Sequence, residues 1–263
     1  MEKLSYEQLL APYPIKLSMA TLRKPKLHEL YDISFSTFYL YQFLMEMTPE
    51  QYFIELRKEQ EGAKYWDSLS GDEQKAITLT YLIAADDSLR DLFISMLNFF
   101  VVEEVIQYKG ILLILGNSID IETAQIEEVQ ENVKTILDNE SLLQLLAYIR
   151  QTCYMQEKKK EEEPVFKNDI AKRMWEKMKK AEKIETAHKN EDFTLPNIIS
   201  KVSNYHSSIS PLNIWELTVF QLLDAFACLQ TNVSFDMAKT RVAVWGDEKN
   251  KFDINIWYKN TFN

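Results

Sequence analysis

The chain has 263 residues, 46% hydrophobic and 27% charged, with a formal net charge of −10. It is long enough to bury a sizeable core, too apolar to be disordered, and too acidic for nonspecific phosphate binding, which clustered Lys and Arg would have to carry. Five glycines and seven prolines are too few for turn-rich sandwiches, barrels or nucleotide-binding α/β folds. The expected class is therefore mainly α, a multi-helix globular body with short extended segments near the N-terminus and at the C-terminus.

The opening "MEKLSYEQLLAPYPIK" lacks a basic stretch followed by an apolar one, so no signal peptide is expected. Pro12, Pro14 and Pro25 break any long helix, and "IKLSMATL" (Ile15–Leu22) alternates as a short strand would. From Leu27 the pattern turns helical, with Tyr31, Phe35, Phe38, Tyr39 and Phe43 forming a dense aromatic face expected to be core. "TPEQ" places Thr48 as N-cap, Pro49 at the first helical position and Gln51 at the third; "SGDE" repeats the logic with Ser70 and Glu73. The apolar run through Leu92–Val102 continues as helix to an interruption at Gly110, with a firmer stop at Gly116-Asn117. No apolar window reaches the ~20 residues a membrane span needs.

Two further helical periods follow, parted near Asp138-Asn139. The sharpest change in composition is "EKKKEEEP" (Glu157–Pro164), read as a linker or solvated helix end. The expected organisation is an N-terminal helical region 1–156, a charged connection 157–169 and a C-terminal helical region 170–263 with an ordered aromatic tail. The whole would be one body whose hinge, where one exists, lies at that connection. Residues 157–192 hold eleven basic and ten acidic side chains, so the acidity lies elsewhere. Within them, Ile170, Met174, Met178, Ala181 and Ile184 share one side of a lysine-rich helix, read either as a two-sided surface helix or as a Met-containing docking face. In "SPLNIWELTVFQLLDAFACLQ" (Ser210–Gln230), Leu212, Trp215, Val219, Leu222, Phe226 and Leu229 share one side of a single amphipathic helix. Trp215, Leu222 and Phe226 are expected to face the core. Gly246 reads as a turn between Val242–Trp245 and Phe252–Ile256, giving either a hairpin or a tail that lays Trp245, Phe252 and Trp257 against the body.

A search for chemistry finds little. His28, His188 and His206 are far apart in sequence, and Gln107 stands where a di-iron helix would carry a histidine after Glu104. Cys153 and Cys228 read as buried free thiols. No nucleophile elbow or phosphate-cradling loop is present. Asp86, Asp87, Asp91 and Glu104 are the carboxylates a Mg²⁺-dependent rival would use; adjacent Asp86 and Asp87 diverge by about 100° unless the helix breaks there. Glu103 and Glu104, among apolar neighbours, are expected to be salt-bridged or at an interface. No catalytic residue, metal ligand or cofactor is assigned.

"NIWELTVFQLLDAFACLQ" followed by "VAVWGDEKNKFDINIWYKN" resembles the C-terminal region of tail assembly chaperones of long-tailed (siphovirus-type) phages and prophages of Gram-positive bacteria. "IKLSMATLRKPKLHELYDISFSTFYLY" resembles their start, and "WEKMKKAEK" and "NIISKVSN" also fit. Together these stretches cover about a third of the chain. The shared pattern falls on Trp215, Leu217, Gln221, Asp224, Trp245, Gly246, Asp247 and Trp257. The resemblance implies a non-enzymatic protein of the bacterial host cytoplasm, absent from the mature virion. It would bind tape-measure protein helices and help recruit tail-tube protein; self-association is an optional further partner mode. The partner-contact candidates are Met174, Trp175, Met178, Gln221, Asp224, Trp245 and Trp257. The alternatives are a virion structural component, such as a connector or tail-tip protein, and a metal-dependent nucleic-acid-acting protein.

Overall fold

Local capping signals divide most of the chain into short helices, and the computed structural model describes them in residues 3–58, 61–117, 130–155, 193–247, 252–258 and 262. The fold is mainly α, with two small antiparallel sheets among the described residues. It divides into two compact units, Met1–Tyr154 with Thr218–Phe220, and Met155–Leu217 with Gln221–Asn263. The charged run Glu157–Pro164 and the Met-containing stretch around Met174, Trp175 and Met178 lie outside the described residues.

The first unit opens with α1 (Tyr6–Leu10), closed by a Ser5/Gln8 capping box. Ile15–Leu22 is a hairpin and not one strand: β1 (Ile15–Lys16) pairs with β2 (Thr21–Leu22). The expected long aromatic helix is two, α2 (Leu27–Ile33) and α3 (Phe35–Glu46), parted at Ser34, whose φ of 74° breaks the spiral while its hydroxyl accepts from the Thr37 amide. That break redirects the aromatic face. Phe38 and Tyr41 are buried, Phe35 and Phe43 are partly buried, and Tyr31 and Tyr39 are exposed. The caps read from sequence are formed: Thr48 with Gln51 opens α4 (Pro49–Gln51), which runs into a π-helical turn at Tyr52–Leu56. Ser70 with Glu73 opens α6 (Gly71–Ala76), after α5 (Gly62–Ser68). Next come α7 (Leu79–Ala85) and α8 (Asp87–Phe100).

The helix expected to run on to Gly110 stops at Phe100, with Val101 already extended. Val105–Tyr108 (β3), Ile111–Leu115 (β4) and Val133–Leu137 (β5) form an antiparallel sheet in the order β3-β4-β5. Three causes act together. The Asn98 side chain bonds both the amide (2.8 Å) and carbonyl (2.9 Å) of Val105, fixing the first strand residue to α8. Lys109 and Gly110 take φ of 50° and 83°, the double positive turn that matches strand twist. The β-branched residues at 105, 106, 111 and 114 favour a pleated surface. Val105, Leu112, Ile114 and Leu137 lie on one face, while Ile106, Leu113 and Leu115 form a separate cluster on the other, with Tyr108 and Val133 against it. The helix start at Asp138 is as expected: its side chain accepts from the Ser141 amide and opens α9 (Asn139–Thr152). Residues 133–137 before it are strand where helix was expected.

The second unit contains α10 (Leu195–Tyr205), which buries Leu195, Ile198, Ile199 and Val202. Ser210–Gln230 is not one helix. Ile214–Glu216 is a 3₁₀ turn, Leu212 is 92% exposed, and the helix proper, α11, starts at Val219 and runs to Trp245. Thr218, which with Val219 and Phe220 belongs to the first unit, forms an isolated antiparallel bridge with Lys26 of that unit. Among the described residues no helix is long and apolar enough to cross a membrane.

Candidate interaction surface of the C-terminal unit

Helix α11 has 27 residues, about 40 Å at 1.5 Å per residue. No Gly or Pro interrupts it, and it ends where Gly246 adopts φ of 78° and donates its amide to the Val242 carbonyl at 2.8 Å. Val242–Trp245, read from sequence as an extended piece before a turn, is therefore its last helical turn. Gly246 is the turning residue, as expected, because only an achiral residue takes that conformation without strain.

Beyond the turn the chain comes back along the helix. Asp247 accepts the Phe252 amide at 2.8 Å. The Phe252 ring packs on Phe235 with centroids 5.3 Å apart, and the Trp257 indole N–H donates to Asn232 Oδ1 at 2.9 Å. Ile254–Tyr258 form a 3₁₀ turn. Of the two sequence readings, the tail laid on the body describes Phe252 and Trp257, whereas Trp245 is 78% exposed. Between helix and tail runs a groove of about 510 Å³, lined by Ala227, Phe235, Ala238, Val242, Phe252 and Ile256, with Gln230, Thr231, Ser234, Arg241 and Asp253 as polar members.

The candidate residues Gln221, Asp224, Trp245 and Trp257 do not converge. Gln221 and Trp245 are separated by about 36 Å of helix. Asp224 is buried, Gln221 and Trp215 are partly buried, and Trp257 meets the helix near its middle. Leu222 is buried as expected, and Phe226 is partly buried with its ring edge-on to Phe193. The residues that build the groove, Phe235, Ala238 and Val242, were not singled out from sequence. Their i, i+3, i+7 spacing in an uninterrupted stretch was the available signal.

The titratable groups explain themselves structurally. Cys153 is buried and its thiol is pushed up to about 12 by loss of solvation. Cys228, expected to be buried, is exposed on α11; partial burial and then the Asp224 charge raise its pKa. The helix does break between α7 and α8, at Asp86, but that carboxylate is committed. One oxygen accepts from the Tyr52 hydroxyl and Arg57, each at 2.8 Å, and the other from the Ser88 and Leu89 amides. Burial alone would raise its pKa; the Tyr52 bond, the Leu89 amide, the Arg57 charge and the Ser88 amide together outweigh that and lower it. Asp87 and Asp91 are exposed beside Arg90. Glu103 is salt-bridged as expected, to Lys134, and accepts from the Thr21 amide and hydroxyl. Among the described residues no three His, Cys, Asp or Glu side chains are arranged to hold a metal ion.

No curated protein and no solved structure matches the chain. Residues 186–262 match the family model described as the YomV second domain. That stretch holds α10, α11, the groove and all eight residues of the C-terminal pattern from Trp215 to Trp257. That match covers the C-terminal part of the chain, and its phage- and prophage-associated name fits, at that coarse level, a phage-related protein.

Proposed function

We propose that this phage-related protein is a non-enzymatic assembly factor whose C-terminal unit holds a client polypeptide in the groove between α11 and its returning tail. The client is a helix of the tape-measure protein, and the same protein helps to recruit tail-tube subunits in the host cytoplasm without entering the finished particle. The carrying observation is the groove itself: a trough between α11 and the tail with Phe235, Ala238, Val242, Phe252 and Ile256 in its lining, on a unit that also exposes Trp245 and half-exposes Trp257. Such a trough suits an amphipathic helix laying down side chains three and four residues apart. The aromatic rings of Phe235 and Phe252 in the lining give large contact area at small entropic cost. A net charge of −10 keeps a complex with an aggregation-prone client soluble.

Coexpression with a tape-measure fragment tests the reading. The fragment is expected in the soluble fraction with the native chain and in the pellet with Ala238→Glu, which places a charge in the trough. Equal solubility with and without this protein removes the proposal. Mass spectrometry of purified particles separates it from the virion-component alternative, since stoichiometric copies there belong to a structural protein.

A further inference from the structure

Helix α11 is apolar on two opposite faces, and its own tail covers one of them. Phe235, Ala238 and Val242 face the groove; at about 100° per residue, Val233, Met237, Thr240 and Val244 lie on the other side. There Val233 is 40%, Met237 70% and Val244 65% exposed. We propose that this open stripe pairs in parallel with the same stripe of a second copy of the chain.

Three observations select that occupant. The spacing Val233, Met237, Thr240, Val244 is +4, +3, +4, the alternation of the inward positions of a two-stranded coil. Thr240, the one polar member, donates its hydroxyl to the Asp236 carbonyl of its own helix at 2.8 Å, so it can turn its methyl to a partner without leaving a donor unsatisfied. The flanking charges complement each other: Asp236 precedes Met237 on one side of the stripe, and Arg241 lies five residues later on the other. In a parallel pair these are the positions that meet across the seam, so Asp236 of each copy reaches Arg241 of the other, twice by symmetry. An antiparallel pair sets Asp236 beside Ala243 and Arg241 beside Ser234 and forms neither contact. Within its own chain Asp236 bonds only the exposed Lys239 among the described ion pairs, a pair cheaply exchanged. The four stripe residues span about 16 Å, less than a standard interface needs, so the association is weak and concentration-dependent. The groove's apolar wall of Phe235, Ala238 and Val242 faces away from the seam, and Arg241 alone of the paired residues also borders the groove.

Sedimentation equilibrium of the full chain tests this. The weight-average mass is expected to rise toward two chains as concentration is raised to about 1 mM. Asp236→Arg or Arg241→Asp weakens association several-fold, the double exchange restores it, and Met237→Glu abolishes it; all three sites are exposed, and a circular dichroism melt verifies folding. In a Cys228→Ser background, Val244→Cys is expected to form a disulfide between copies, because parallel pairing sets residue 244 against itself. A mass that stays at one chain throughout, or a Val244→Cys variant that crosslinks only when mixed with Val233→Cys, overturns the proposal.

Discussion

Lys24 shows how single side chains hold the first unit together. It is 7% exposed, and its ammonium donates to the carbonyls of Gln8 and Ala11, two acceptors left open at the end of α1. Burial lowers its pKa to about 8, well below the ordinary value of about 10.4 for an unfolded chain. Between those values the unfolded chain binds more protons than the folded one, so stability rises with pH across about 8 to 10.4. The neutral amine keeps two N–H donors for its two carbonyls, so deprotonation does not undo the contact. Chemical denaturation of native chain and Lys24→Met at a series of pH values checks this: the difference between them should change across that window and be flat from pH 6 to 7. At this scale much was legible. The capping residues Thr48, Gln51, Ser70 and Glu73 follow from short-range chemistry that neighbours do not override, whereas Asp138, a cap in the structure, reads in sequence only as a break between helical periods. Exposure of Cys228 was not legible, because an apolar local sequence does not say which side of a helix the fold covers.

Elements were harder to read wherever local pattern and long-range pairing compete. "VIQYKGILLIL" is equally apolar as helix or as strands, and Lys109-Gly110 reads as a helix interruption until both residues take positive φ. The structure makes that turn decisive. Replacing Gly110 by Val puts a β-branched side chain where φ is 83° and should destabilise the chain by about 1–2 kcal/mol, measured by urea unfolding. An Asn there, which tolerates that conformation, should recover most of the loss. At Ser34 the same physics worked unseen: a positive φ in a helical pattern carries no sequence mark, so the aromatic face was drawn too long. In α11 the error ran the other way. The tail-facing and open stripes fall on opposite sides, so the helix beyond Gln230 has no single amphipathic direction, and its last turn passed for an extended piece.

At the scale of the whole molecule, the mainly α class followed from composition because few Gly and Pro leave few tight turns. The groove did not, since it is built from a helix and a tail that approach only after Gly246 reverses the chain. Exposed large hydrophobic side chains occur on both units, and on the C-terminal unit Val233, Met237, Val244, Trp245, Ile254, Ile256 and Trp257 belong to α11 and its returning tail. The claim at the centre is that the apolar surface of this helix and tail exists to hold another polypeptide. Hydrogen exchange of the full chain, with and without a soluble tape-measure fragment, tests it most directly. The account predicts slowed exchange in residues 227–242 and 252–258 on addition of the fragment, with the first unit unchanged. Exchange unaltered in those segments, or slowed only within residues 6–152, would contradict it.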